Sequence, residues 1–221
     1  MKSRLLILSG LGLLSLPLPA QVTVVAPPTT PVVEVVRPAE PSLDTSDAQR
    51  RLSVAPQVVV VPSPDAAVPS RTTTITETKG RPTRIYNADR NVVIVQEQGQ
   101  SRELPFVTLP VLFVKETDEL LDEKSRIAVE QIAGVILAIS RTEAGTVFDI
   151  EGHTSTDGEE NYNLELSAAR AKRVYDELTQ RYGVPAEVLS AHGYGEAFPM
   201  YPDGTEKEMQ QDRRVLVVRT K

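Results

Sequence analysis

Between Val22 and Ser70 the chain carries nine prolines in 49 residues, and most of what separates them is Val, Ala, Ser and Thr. Each proline removes a ladder donor and favours extended backbone, so the many valines here are poor material for a central sheet. The folding information of this 221-residue chain is thereby pushed toward its C-terminal half. Residues 21–70 read as a flexible, disordered Pro/Val-rich linker. Fully extended at ~3.1 Å per residue, such a spacer would reach on the order of 150 Å. A second reading makes the run Val58 to Val61 a strand for docking a partner.

Ahead of the linker, MKSR is followed by LLILSGLGLLSLPL and by a small residue at Ala20. This order reads as a secretory signal peptide over residues 1–20. Leu18 departs from the small residue preferred three positions before the cut, and the alternative is an uncleaved anchor. Against that, the run is shorter than the roughly 20 residues a span needs and contains Gly12 and Pro17. The chain has no cysteine, hence no disulfide and no thiol for a lipid anchor, so envelope attachment has to be made by binding. No later stretch suits a transmembrane helix, and the strand-like stretches are too few and too poor in aromatics for a membrane barrel. The product is expected to be soluble outside the cytoplasm.

Charge narrows the partners. Residues 1–104 hold 11 basic and 9 acidic side chains, whereas 105–221 hold 13 and 21, a net of −8. No broad basic footprint is left for nucleic acid. The few arginines of the C-terminal half act as local sites on a negative background.

Residues 71–104 form a short strand-rich extension: TTTITET (72–78) and RNVVIVQEQ (90–98), with an Asn-Ala-Asp turn at 87–89, suggest a hairpin or added edge strands. The main domain spans 105–221. LPVLFV (109–114) reads as its first strand. A helix from about Asp118 to Ile139 follows, with Ala128, Ile132, Val135, Ile136 and Ile139 at helical spacing. TVFDIEG (146–152) alternates Val147, Asp149 and Glu151 against Phe148 and Ile150, a half-buried strand. A second helix from about Leu164 to Arg181 turns Ser167, Ala171, Val174, Tyr175 and Leu178 inward, and Gly183 and Pro185 stop it. VLSAHG (188–193) and RRVLVVR (213–219) are the last strands. The order β-α-β-α-β-β predicts an α/β (α+β) domain of two layers, with helices on one face of a small mixed sheet.

Several residues invite a chemical reading. Arg170 lies at the edge of the second helix's buried stripe, where an Arg lays its methylenes on apolar surface and points its fork at a neighbouring loop. That loop, from Gly152 to Gly158, carries Thr154, Ser155, Thr156 and Asp157 between two glycines. It suits a zwitterion: carboxylate to Arg170, ammonium to acidic or carbonyl groups, at ~1.5–3 kcal/mol for a charge-assisted contact. Asn163 either caps the second helix or fixes the loop. Of Arg213 and Arg214, alternation turns one toward the helices to brace or extend the pocket, with Arg214 preferred. Hydrolysis is disfavoured, because His153, Ser155 and Asp157 at i, i+2, i+4 on one short loop do not place a base between nucleophile and orienter. Metal binding is disfavoured too: the only histidines are His153 and His192. Gly193-Tyr194-Gly195-Glu196 reads as a structural turn. The chain is expected to need no cofactor and to be no enzyme.

At these residues the chain resembles the OmpA-like peptidoglycan-binding domain, shared with Pal lipoproteins and flagellar stator proteins, over about 105–218. Gly152, His153, Thr154, Gly158, Asn163, Leu166, Ser167, Arg170 and Ala171 stand at the family's spacing. Gly193-Tyr194-Gly195-Glu196, Pro199 and Arg213-Arg214-Val215 match its later pattern. The resemblance implies non-covalent binding of peptidoglycan by gripping the diaminopimelate of the stem peptide with a motif Asp and the helix Arg. The Arg is Arg170. The Asp is replaced by Ser155, and the Asn before the Arg pair by Asp212. Asp157 is the expected substitute, with Glu159 or Glu160 as helpers. The alternative is an interaction module of the envelope that has lost its grip on the wall. An outer-membrane or envelope protein is a further expected partner, reached through the N-terminal half.

Overall fold

The computed structural model describes residues 42–59, 72–74, 83–97 and 100–221. The signal-peptide reading and most of the linker lie outside the described residues. The mixed sheet has the order β2 (Thr72–Thr74), β3 (Thr83–Asn87), β4 (Val92–Glu97), β5 (Gln100–Leu109), β8 (Val215–Arg219), β6 (Phe148–Gly152), β7 (Leu189–Gly193), and β1 (Gln57–Val59) pairs with β5 off this path. Only the β6–β7 pair is parallel among these ladders. The helices are α1 (Thr45–Leu52), α2 (Glu123–Thr142), α3 (Glu160–Asp176), continued by a π turn at Glu177–Arg181, and the short α4 (Glu206–Met209).

The first domain strand is displaced from its expected position. It is β5 at 100–109, not 109–114, because Pro110 has no N–H with which to continue a ladder. Beyond it, Phe113 makes only an isolated bridge to Leu120. β5 joins the preceding strands to the domain: residues 100–105 pair with β4 and 106–109 with β8, while the hairpin partner of β4 is β3, a strand between the two that the sequence suggests. The hairpin turn is closed by Asn87, whose Oδ1 accepts from the Arg90 amide at 2.9 Å.

Part of the stretch read as flexible linker is folded. Asp44 caps α1 by accepting from the Asp47 amide, and Leu43, Ala48 and Leu52 enter the main core. The buried Arg219 on β8 fastens this helix, donating from Nη1 to the Leu52 carbonyl (3.0 Å) and from Nη2 to Glu143 (2.7 Å). The core lies between the helices and one sheet face. The helical stripes are as predicted: Ala128, Ile132, Val135, Ile136 and Ile139 on α2, and Ser167, Ala171 and Val174 on α3, are buried.

The opposite sheet face is not open to solvent, which corrects the half-buried reading of β6: all five of its residues are buried. Tyr86, Val93, Leu104, Phe106, Leu216 and Val218 form a second core there. Beside it lies a buried polar group. Glu151 accepts from Tyr86 Oη at 2.7 Å and pairs with Arg84. Asp149 takes Ser190 Oγ at 2.8 Å and His192 Nδ1 at 2.7 Å. Burial raises the pKa of Glu151, with Arg84 and the Tyr86 hydroxyl opposing.

His153 sits in this layer, 1% exposed, stacked on Tyr194 (5.5 Å) and edge-on to Tyr86 (5.2 Å). Neither ring nitrogen has a hydrogen-bond partner among the described residues, and Glu151 at 3.7 Å is too far for one. Burial, helped by Arg214 and Arg84, holds its pKa well below the usual histidine range.

Two stability experiments follow from this packing. Leu52→Ala should cost ~2–5 kcal/mol in urea denaturation, whereas Val58→Ala, at a 70% exposed position, should stay within about 0.5 kcal/mol. The His153 ring is neutral when folded and protonates near 6.5 when unfolded. Its stabilising contribution is therefore complete above that pH and lost as pH falls below it. His153→Phe removes this dependence. Relative to wild type it should gain about 1.4 kcal/mol between pH 7.5 and 5.5, and a pH-independent difference would contradict the neutral buried ring.

Candidate functional site

Two glycines set the site's geometry. Gly152 ends β6 beside Gly193 at the end of β7, and α3 crosses directly over both. A Cβ on Gly152 would stand 2.1 Å from the Ser167 carbonyl oxygen, and one on Gly193 would stand 2.3 Å from the Ala168 nitrogen. Only bare backbone permits this approach. Ser167 Oγ then accepts from the Gly195 amide at 2.8 Å, tying the turn after β7 to the helix.

The loop after β6 is held from several sides. The amide of His153 donates to Arg214 O and that of Thr154 to Gly195 O, each at 2.9 Å. Asn163 does not cap α3, which begins at Glu160, three residues earlier. Its Nδ2 donates to Asp157 O (2.8 Å) and Glu196 Oε2 (2.6 Å), and more weakly to Ser155 O (3.4 Å). Of the two readings for Asn163, the loop-fixing one is observed. Gly158 turns the chain at φ +97°, a left-handed conformation open to glycine. Thr154 and Ser155 are buried, and Thr154 Oγ1 has no partner among the described residues.

Arg170 projects from the same helix two turns beyond Asn163. It is 9% exposed, donates from Nε to the Thr117 carbonyl at 2.9 Å, and lies 5.0 Å from the Phe113 ring centroid. Tyr162 Oη reaches Glu116 O (3.3 Å), so the segment before α2 forms one wall of the site. Among the described residues no carboxylate pairs with Arg170. Burial lowers its pKa; Tyr162 and Asp118 favour its charge, and Arg213 opposes it.

Asp157, the expected substitute for the motif Asp, is engaged within the protein. Its Oδ2 receives Arg213 Nη2 at 2.8 Å and Ser155 Oγ at 3.3 Å, while Ser155 Oγ accepts from Arg213 Nε at 3.0 Å. Arg213 also pairs with Glu206 on α4, and these contacts raise its pKa: the Glu206 bond most, against burial, with Asp157 adding. The pocket arginine is thus Arg213 and not Arg214. Arg214 is buried against Asp212, the Phe198 carbonyl (3.1 Å) and the Tyr86 ring, in the layer on the other face of the sheet. The chain enters β8 one residue out of the phase that would have turned Arg214 to the helices. The structure gathers Thr154, Ser155, Asp157, Gly158 and Asn163 in the loop and its support, keeps Arg170 further along the same helix, and sets Arg214 apart on the other face of the sheet.

Thr117, Phe113, Arg213 and Glu206 complete the surroundings. Of these, only Arg213 had a sequence signal, as the alternative member of the arginine pair. The loop's His, Ser and Asp are also split apart. His153 is enclosed in the aromatic layer, while Ser155 and Asp157 bind Arg213, so no imidazole reaches the hydroxyl. What remains is a buried guanidinium beside a rigid hydroxyl-bearing loop, chemistry suited to holding an anion.

Comparison with known proteins reports similarity over the same part of the chain. A profile described as the OmpA family matches residues 112–213, which include the loop, α3 and Arg213. The outer-membrane lipoprotein YfiB of Pseudomonas aeruginosa is 30% identical over 131 residues, covering 58% of this chain and 74% of that protein. Outer membrane porin F of the same organism is 41% identical over 66 residues, but the match is 30% of this chain and spans only 19% of the porin's length. Among solved structures, the C-terminal domain of Helicobacter pylori MotB aligns with a TM-score of 0.45 and 24% identity, over 52% of this chain and 85% of that one. OmpA-type domains are periplasmic, non-catalytic modules associated with peptidoglycan binding and envelope organisation. By its matched profile, and by a relative of which it covers about three quarters, this chain belongs to the OmpA family.

Proposed function

We propose that the domain binds peptidoglycan non-covalently in the periplasm, gripping the diaminopimelate of a stem peptide and so anchoring or organising the cell envelope. The observation that carries this reading is Arg170: nine-tenths buried, oriented through Nε and Phe113, with no carboxylate paired to it among the described residues. A buried charge without a counter-ion is costly, and an incoming carboxylate relieves that cost while forming charge-assisted hydrogen bonds. The loop hydroxyls and Asp157 supply the polar rim. Affinity for one such unit is modest, and a polymeric wall raises it through repetition.

A second reading is favoured by one specific observation. Ser155 stands at the motif Asp, and the nearest replacement, Asp157, is already engaged by Arg213. On that reading the domain is an envelope interaction module that no longer grips the wall, with a protein partner. Co-sedimentation with purified diaminopimelate-type peptidoglycan distinguishes the two. Saturable binding is expected, competed by free diaminopimelate and reduced at least tenfold by Arg170→Ala, the ~1.5–3 kcal/mol of a charged hydrogen bond. A folded protein that stays in the supernatant would leave only the second reading.

A further inference from the structure

The face of the sheet turned away from α2 and α3 is closed by side chains alone. β3 and β4 reach the rest of the sheet through one ladder, β4 on β5. Among the described residues no backbone hydrogen bond joins either strand to β6, β7 or β8. A few side chains hold β3 down instead. Arg84, its side chain 12% exposed, pairs with Glu151 and lies 4.8 Å over the Tyr194 ring. Tyr86 donates to Glu151 and sets its ring against Phe198 (4.9 Å) and His153 (5.2 Å). Arg214 stands 5.7 Å from the same ring. In the same layer Phe106, Leu216 and Val218 are buried, an apolar surface that lifting β3 and β4 would bare.

His153 is the member of this layer that gains a charge on acidification. It is faced by Glu151 from β6, Arg84 and Tyr86 from β3, Tyr194 from the turn after β7, and Arg214 from the approach to β8. A proton on the enclosed ring would add a third cation beside two guanidiniums. No acceptor is free to receive it, because Glu151, 3.7 Å away, is already held by Arg84 and Tyr86. Lifting β3 carries Arg84 and Tyr86 away and lets water reach the ring, where the charge is solvated. A local opening of this kind needs far less disruption than unfolding the domain.

We propose that β3 and β4 form a flap hinged on β5 and latched at Glu151, and that protonation of His153 releases it, baring the apolar face of Phe106, Leu216 and Val218 in acid. The device is independent of what the loop after β6 binds.

The chain has no cysteine, so a single introduced thiol reports opening. Val93→Cys puts it on the flap's inner side and Val129→Cys puts it in the main core on α2, both at positions 0% exposed. The labelling rate of the full chain in native buffer, divided by that of the urea-unfolded chain at the same pH, gives the open fraction. Val93→Cys should label faster than Val129→Cys. Between pH 7.5 and 5.5 its open fraction should rise about tenfold relative to the same protein carrying His153→Phe, the factor for a histidine that is neutral when closed and ordinary when open. Glu151 acts in the opposite sense, since burial raises its pKa and opening then favours its charge as pH rises. It is present in both proteins, so their ratio reads His153. Equal labelling at the two cysteines overturns the flap, because Val93 is then reached only by global unfolding. A pH dependence unchanged by His153→Phe overturns the trigger.

Discussion

The close seating of α3 on the ends of β6 and β7 is the constraint from which the rest of the site follows. At 2.1 Å and 2.3 Å, a single methyl on Gly152 or Gly193 would overlap helix backbone, which cannot yield as a side-chain tip could. That proximity lets Ser167 receive the Gly195 amide and lets Asn163 reach across the loop to Asp157 and Glu196. Arg170, further along the same helix, is thereby fixed relative to the loop without touching it. The site's precision comes from backbone contact more than from the side chains a ligand would meet.

The loop is also supported from beneath the sheet. His153 and Arg214 look like functional groups in sequence, yet both are buried in the second layer, among Tyr86, Tyr194 and Phe198. Their backbones are bonded to each other, with the His153 amide on the Arg214 carbonyl. A burial cost at these two groups is accepted within a layer that makes the base of the loop rigid. Arg213, the immediate neighbour of Arg214, turns to the other side and reaches Ser155. One dipeptide thus links the structural layer to the binding surface.

Much of this was legible in the sequence where periodicity is strong. α2 and the inward stripe of α3 rest on apolar spacing, and they stand where that spacing puts them. The misplaced first strand shows the limit of the method: LPVLFV is the more apolar run, but Pro110 inside it outweighs hydropathy. α1 was hidden by the prolines around it, although Asp44, Asp47 and Arg51 already carry the cap and the i, i+4 pair of a helix. The burial of Glu151 could not be read from β6 at all, since it depends on β3 reaching it from more than sixty residues away, and Asp149 is met by Ser190 and His192 of β7. Glu206 gave no local signal either: its pairing with Arg213 exists only where α4 turns back on the approach to β8.

The departure at position 155 acquires a physical meaning in this setting. A carboxylate there would sit buried beside Arg213, and the pair would be internally neutral, consuming the charge it brought. A serine leaves Arg213 to hold Asp157 and Glu206 instead, both on the exposed side. The acidic charge is not lost by the substitution but moved outward by one side chain's length, where water screens it and a soluble cation can reach it. Its attraction for any ligand group is correspondingly weaker and more sensitive to salt than that of the buried Arg170.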